Sequence, residues 1–238
     1  FAHFFEHMMF RGTKKYPGPV YDEIVNRMGA DSNANTSFDR TIYHMTFCTD
    51  DLEKVVELEA DRFQNLDFTE KQFKTEAGAV YGEYKKGITS PWQVASEKMH
   101  DMAFDRHTYK HTVIGFERDI VNYPNLYEYS KSFFKRYYRP ENTILLFAGD
   151  LDCDKTLELV KKYYGDWETG YVSPQIEPEP TQTEAREQVI EFAGRTLPIL
   201  MVAYHGDAFD VDNKNVLAAA LLDELAFGPT SDIYKKLV

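Results

Sequence analysis

Two histidines and a glutamate lie close together near the start of the sequence. His3, Glu6 and His7 form the pattern His-x-x-Glu-His. On a helix, residues four apart share one face, so both imidazoles can reach one metal ion while Glu6 comes near it without being a ligand. The neighbouring residues are mostly apolar, and burying these polar groups is costly unless a partner such as a metal ion satisfies them. The pattern therefore predicts a metal site, and a catalytic zinc site needs a third protein ligand with one position left open for water.

A carboxylate from elsewhere in the chain must supply that third ligand. Glu76 and Glu83 are seven residues apart on a predicted helix over residues 69–86, which places them two turns apart on one face. Small and apolar residues surround both glutamates, and Gly78 and Gly82 would let another helix approach closely. Spacing alone does not decide which glutamate binds the metal and which supports the ligands.

Hydrophobic periodicity and turn residues indicate the elements that must position these groups. Thr69 and Gln72 fit a capping box at the start of the 69–86 helix, and Gly29 fits the position that follows a helix end. Strands and helices mix without a regular β-α-β rhythm, which is typical of an α+β fold. The predicted helices cover residues 20–28, 52–63, 69–86, 93–104, 124–138, 153–164 and 211–226, and the predicted strands cover 41–48, 142–149, 188–193 and 197–204.

Composition excludes several classes of function. The formal net charge is −12, from 27 Lys and Arg against 39 Asp and Glu, and the basic clusters at 11–15 and 135–139 are short. Nucleic acids and anionic membranes require clustered Lys and Arg, and no apolar run approaches the ~18–20 residues of a membrane span. We therefore expect neither nucleic acid nor a membrane as a partner. Cys48 and Cys153 are predicted to be free, partly buried thiols.

The remaining histidines are interpreted as structural. His107 and His111 are also four residues apart, but they lie in a stretch, 105–123, that lacks helical periodicity and a nearby ligating glutamate. A loop is favoured there over a second metal site. The same structural interpretation applies to His44, His100 and His205.

Several motifs, in order along nearly the whole chain, resemble those of the insulinase, pitrilysin and mitochondrial processing peptidase family of zinc peptidases. This family carries the inverted form of the zinc-peptidase motif, and the likeness is strongest to its bacterial processing-peptidase-like members. The motifs are HFFEHMMFRGT at His3 to Thr13, residues 29–36, residues 75–84, residues 138–150 and residues 227–231.

The resemblance implies a set of roles for the residues at the site. It implies one zinc ion per chain, with His3, His7 and Glu83 as ligands. Glu83 follows His7 by 76 residues, which is the family's usual distance. Glu6 would be the catalytic base and Glu76 a second, helper carboxylate of the catalytic site.

The resemblance also implies how a substrate binds. Asn33, Ala34 and Asn35 would lie on an exposed edge strand, along which a peptide adds as a further β-strand. Such an edge gives affinity through main-chain hydrogen bonds and demands little of the peptide's sequence.

At the level of the whole chain, the resemblance implies a mixed or antiparallel sheet flanked by helices, in a tandem arrangement of homologous domains. Residues 1–172 would form a zinc-binding catalytic α+β domain that lacks its first strand. Residues 173–187, which are rich in proline and acidic residues, would form a linker, and 188–238 would begin a second, truncated domain. Both ends of the chain look cut from a longer protein.

The sequence thus predicts a zinc-dependent endopeptidase that acts on peptides or unfolded segments. The alternative is a non-catalytic peptide-binding or scaffold subunit of a peptidase complex, and a purely structural zinc site is a third possibility. The expected partners are a peptide substrate, the rest of the parent chain and a homologous subunit in a dimer. Relatives occur in mitochondria, the cytosol and the bacterial periplasm, and overall likeness favours the periplasm.

Overall fold

The computed structural model describes residues 1–237, which divide into a first unit, Phe1–Leu197, and a second unit that begins at Pro198. The fold is helix-rich α+β with a small antiparallel sheet flanked by helices, as predicted. The elements of the first unit are α1 (Ala2–Met8), α2 (Gly18–Arg27), β1 (Asp31–Thr36), β2 (Thr41–Thr46), α3 (Leu52–Asn65), α4 (Glu70–Gly87), α5 (Pro91–Ala103), α6 (Glu117–Ile120), α7 (Tyr127–Tyr137) and α8 (Cys153–Tyr164). The second unit contains α9 (Lys214–Phe227) and α10 (Asp232–Leu237).

The packing of α1 on α4 positions the candidate site. Phe4, Phe5 and Met8 of α1 are fully buried, and they share one core with Phe73 and Val80 of α4. Fully burying a side chain of this size contributes about 1.5–3 kcal/mol. The three apolar residues of α1 therefore hold this short helix firmly on the longer one.

Helix α4 begins as the sequence predicts. The Thr69 hydroxyl accepts a hydrogen bond from the Gln72 N–H at 3.2 Å, and the Thr69 N–H donates to Gln72 Oε1 at 2.8 Å, which completes the capping box. The expectation for Gly78 and Gly82 is wrong, since a Cβ at either glycine would meet no atom within 4 Å. Both glycines lie on the exposed face of α4, and the buried contacts come from the opposite face, for instance from Ala77.

Strands β1 and β2 form an antiparallel hairpin in which Ala34 pairs with Tyr43. The Ser37 N–H donates to the Arg40 carbonyl at 2.8 Å and closes the turn. Burial alternates along both strands, so one face of the hairpin is more covered than the other. β1 contacts α1, which brings the strand beside the candidate site.

The strands predicted over 142–149, 188–193 and 197–204 are wrong, because none of these segments forms a strand in the structure. The first was predicted from a β-branched and apolar run, yet Ile144 and Leu146 are 93% and 87% exposed. A strand requires a backbone ladder with a neighbour, and propensity for extended backbone does not supply one. In the part of the chain that the structure describes, the sheet consists of β1 and β2.

Both cysteines lie on the surface. Cys48 and Cys153 are free, as predicted, but both are exposed, so the expectation of partial burial is wrong. Cys48 falls on the exposed side of the alternation that continues from β2, and Cys153 is the first residue of α8, outside its packed face. No helix between residues 1 and 237 is long and apolar enough to cross a membrane.

Candidate metal centre

Three potential ligands converge where α1 crosses α4. His3 and His7 project from α1 and Glu83 from α4, and one ligand atom from each lies within 4.8 Å of the other two. The Nε2 atoms of both histidines are 3.5 Å from Glu83 Oε2. The Glu83 side chain is 49% exposed, so the cluster is open on the carboxylate side.

The donor set and its spacing fit a zinc ion. The 3.5 Å separations are longer than a normal N–H···O hydrogen bond, so the histidines and Glu83 face each other across a gap. Tetrahedral zinc with bonds of about 2.0–2.1 Å places its ligand atoms about 3.4 Å apart. Two imidazole nitrogens and one carboxylate oxygen are also the ligand types of many catalytic zinc sites.

Glu76 contacts His7 on the side of the ring away from Glu83 and is not part of the cluster. Its Oε1 accepts a hydrogen bond from His7 Nδ1 at 2.9 Å, while its Oε2 accepts from Arg11 Nε at 2.7 Å and also from Arg11 Nη2. The two glutamates, which spacing alone does not order, thus occupy different positions relative to the histidines. Glu83 faces the Nε2 atoms of both histidines, and Glu76 contacts Nδ1 of His7.

The two histidines differ in their surroundings. Burial lowers the pKa of His3, although the negative charge of Glu83 opposes this shift. The hydrogen bond to Glu76 raises the pKa of His7 despite partial burial. Burial opposes ionisation of Glu76, but hydrogen bonds from His7 and Arg11 outweigh it and lower its pKa. His3 Nδ1 is buried without a hydrogen-bond partner among residues 1–237. Of the two histidines, therefore, only His7 has a protein group bonded to its Nδ1.

Glu6 connects the cluster to the sheet. It lies on α1 between the two histidines, and its Oε2 accepts a hydrogen bond from the Thr36 hydroxyl at 2.5 Å. Thr36 is the last residue of β1, and its hydroxyl lies 3.2 Å from that of Thr41 at the start of β2. The carboxylate is therefore held at one end of the strand that the family resemblance predicts to bind substrate.

The predicted substrate-binding residues all lie on β1. Asn33 and Asn35 are exposed and Ala34 between them is half-buried. The Ala34 N–H donates to Asn33 Oδ1 at 2.9 Å, so this amide is not part of the ladder with β2. In the described part of the sheet, β1 pairs only with β2, which leaves its other edge open.

In the described part of the chain, the second pair of histidines four residues apart forms no cluster with further metal ligands. His107 and His111 flank the short 3₁₀ turn Thr108–Lys110, inside the stretch predicted to be a loop. Between residues 1 and 237, only His3, His7 and Glu83 make up a group of three or more His, Cys, Asp or Glu side chains suited to one metal ion.

Sequence reasoning missed two residues that contact the site, Arg11 and Thr36. Arg11 belongs to a short basic cluster, and it also lies within the HFFEHMMFRGT segment. Its spacing from His7 is four residues, which on a continuing helical path places it on the same face. Thr36 follows the predicted substrate residues directly, but no pattern pointed to its contact with Glu6.

Comparison with known proteins agrees with the fold. The model of the insulinase family (peptidase family M16) matches residues 1–116, and that of the M16 inactive domain matches 126–238. The chain belongs to the insulinase family of peptidases.

Individual relatives are similar along much of the chain. The zinc protease PqqE of Helicobacter pylori is 33% identical over all of this chain and 54% of its own length. The beta subunit of the bovine (Bos taurus) mitochondrial-processing peptidase is 31% identical over 69% of this chain and 33% of its own. A crystal structure of a protease from Helicobacter pylori superimposes with a TM-score of 0.71 and 34% identity, over 75% of this chain and 44% of that one. The chain thus spans about half, or less, of the length of these relatives.

Proposed function

We propose that this chain supplies the zinc-binding catalytic part of a metalloendopeptidase that hydrolyses peptides or unfolded segments. The observation that carries the proposal is the convergence of His3, His7 and Glu83 within 4.8 Å, with Glu6 between the two histidines on α1. Membership of a peptidase family and similarity to a zinc protease along the whole chain support the same activity.

In this proposal His3, His7 and Glu83 hold one zinc ion. When bound, the ion polarises the scissile carbonyl and lowers the pKa of a coordinated water. Glu6 accepts the proton of the attacking water and returns it to the leaving amine nitrogen as the C–N bond breaks. The hydrogen bond from Thr36 to Oε2 holds the Glu6 carboxylate in place for this transfer.

The open edge of β1 is the proposed binding site for the peptide backbone. Asn33, Ala34 and Asn35 would pair with an extended peptide, and the Ala34 N–H would exchange its bond to the Asn33 side chain for one to the substrate. Because Thr36 at the end of the same strand bonds Glu6, a peptide paired with β1 runs towards the catalytic carboxylate.

The domain organisation and the partners are further parts of the proposal. We propose that residues 1–172 form the catalytic domain, that 173–187 act as a linker, and that 188–238 begin a second homologous domain. The partners would be the peptide substrate, the rest of the parent chain and a homologous subunit. One of the relatives is by name the beta subunit of a peptidase, which supports a dimeric arrangement.

A cleavage assay with chelation tests the activity. The full-length protein, alone and with a homologous subunit if one exists, is incubated with an unstructured peptide, then treated with a chelator and resupplied with zinc. We expect cleavage that chelation abolishes and zinc restores, and that Glu83→Gln greatly reduces. A non-catalytic scaffold would bind the peptide and leave it intact under all of these conditions.

A further inference from the structure

The Arg11 side chain makes a contact that the proposed reaction does not by itself require. Its Nε and Nη2 both donate to Oε2 of Glu76, whose other oxygen accepts from His7 Nδ1 at 2.9 Å. Resting on the proposed function, we propose that Arg11 is a positioning residue of the metal centre. It holds the Glu76 carboxylate in the orientation that fixes the His7 ring for metal binding.

The burial of Glu76 distinguishes this contact from an ordinary surface ion pair. Exposed pairs contribute little because water competes for both charges. Here the Glu76 side chain is only 5% exposed, whereas that of Arg11 is 41% exposed. A buried carboxylate that loses a charged partner is left poorly compensated, so it turns towards another donor. This change weakens its hold on His7.

The two oxygens of Glu76 bond different partners, Oε2 to Arg11 and Oε1 to His7. With Oε2 occupied by the guanidinium, Oε1 stays directed at His7 Nδ1. An imidazole that donates from Nδ1 carries its lone pair on Nε2, and Nε2 is the atom that faces Glu83. Among residues 1–237 His3 Nδ1 has no comparable partner, so His7 is the ligand whose orientation depends on this chain of contacts.

The backbone around Arg11 is held independently of Glu76. The 3₁₀ turn Met9–Arg11 ends at Gly12, whose φ of 88° lies in the left-handed region. A Cβ at Gly12 would lie 2.4 Å from the Gly18 nitrogen, so only glycine fits this turn. Thr13, two residues after Arg11, forms an isolated antiparallel β-bridge with Leu66. The turn therefore sets the position from which Arg11 reaches Glu76, and this gives the Arg-Gly part of the motif a role at the metal centre.

The same basic cluster offers a matched control. Lys15 pairs with Glu57 at 2.6 Å, but both side chains are more accessible than Glu76 and neither contacts the metal centre. Removing the positive charge of Lys15 changes net charge by the same amount as removing that of Arg11. A general electrostatic effect would appear in both variants, whereas positioning through Glu76 appears only in the Arg11 variant.

Zinc affinity is the first test, measured in the full-length protein by competition with a chelator. Loss of a residue that orients a metal ligand costs about 10–100-fold in affinity, and Arg11 acts through one further side chain, so we expect about tenfold weaker binding for Arg11→Met. Arg11→Lys should recover part of this loss, and Lys15→Met should bind zinc like the wild type. Arg11→Met should add nothing to Glu76→Gln, because Arg11 acts through Glu76.

The tautomer of His7 is the second test and needs no zinc. The ¹⁵N shifts of the ring, recorded in metal-free protein at a pH where His7 is neutral, should report the proton on Nδ1 in the wild type. In Arg11→Met they should report a mixture. Arg11→Gln replaces the methionine variant if circular dichroism shows that the latter is unfolded.

The outcomes separate this inference from the proposed function. If the wild type binds zinc and folded Arg11→Met binds it within twofold as tightly with an unchanged tautomer, Arg11 has no positioning role while the peptidase proposal stands. If the wild type binds no zinc, the peptidase proposal fails. The tautomer comparison then still decides whether Arg11 orients His7.

Discussion

Replacing Glu6 by glutamine should separate catalysis from metal binding. Glutamine is nearly isosteric, and its side-chain oxygen can still accept the Thr36 hydrogen bond that now measures 2.5 Å. Glu6 is not among the three groups whose ligand atoms converge within 4.8 Å. The substitution therefore removes a proton acceptor and leaves the ligands and the local geometry in place.

The expected loss follows from the role of a general base. A positioned base contributes about 10²–10⁴-fold to the rate, which corresponds to about 3–5 kcal/mol in the barrier. We expect kcat of Glu6→Gln to fall by this factor, while KM and zinc affinity stay within about twofold of the wild type. Steady-state cleavage of a fluorogenic peptide and a zinc competition titration provide the three values.

A matched substitution controls for the loss of one negative charge. Glu70 lies in the first turn of α4 and pairs with Lys74 at 2.8 Å on an exposed surface, so Glu70→Gln should retain wild-type kcat. If Glu6→Gln cleaves the peptide at a rate within threefold of the wild type, the assignment of Glu6 as the base is refuted. If its zinc affinity falls tenfold instead, Glu6 acts on the metal site and its catalytic role needs another explanation.

Three further predictions concern the strand, the glycines and acid stability. Ala34→Pro removes an N–H that the β1–β2 ladder does not use. KM should rise about three- to tenfold, which is the value of one hydrogen bond, and zinc affinity should not change. An unchanged KM would exclude this edge as the peptide site. In urea denaturation, Gly12→Ala should lower the free energy of unfolding by more than about 2 kcal/mol, because its Cβ has no room and φ is positive. Gly82→Ala places its Cβ in open space on a helix, so it should raise the free energy of unfolding by up to about 1 kcal/mol. Equal effects of the two substitutions would contradict the packing described. Hydrogen bonds from Lys15, Tyr16 and Lys54 outweigh desolvation and lower the pKa of Glu57 from 4.5 to about 2, so its contribution to stability is present above pH 4.5 and is lost as the pH falls towards 2. Glu57→Gln should therefore be less stable than the wild type at pH 6, and this difference in the free energy of unfolding should narrow at pH 3. A difference that widened at pH 3 would contradict the sign assigned here.

Much of the site could be predicted because its spacing is local. The positions of His3 and His7 follow from the helical period, and the capping box at Thr69 fixes where α4 begins. The order of Glu76 and Glu83 could not be derived from spacing, because both lie on one face of α4. It depends on where α1 crosses that helix, which is a property of tertiary packing.

The errors in the predicted fold have the same origin. The run around Ile144 has the composition of a strand, but a strand also needs a neighbouring backbone, and no ladder forms there in the described structure. Gly78 and Gly82 were expected under a crossing helix, whereas the apolar side chains of α4 direct that contact to its opposite face. In both cases the local pattern carried no information about which segment lies beside the residues, and the prediction failed for that reason.

Anomalous X-ray scattering at the zinc edge, on crystals of the zinc-loaded full-length protein, tests the central assignment most directly. A single peak per chain within bonding distance of His3 Nε2, His7 Nε2 and a Glu83 oxygen is the predicted result, with Glu76 still bonded to His7 Nδ1. A peak elsewhere, or one at the histidines with Glu83 turned away and Glu76 in its place, would contradict the account.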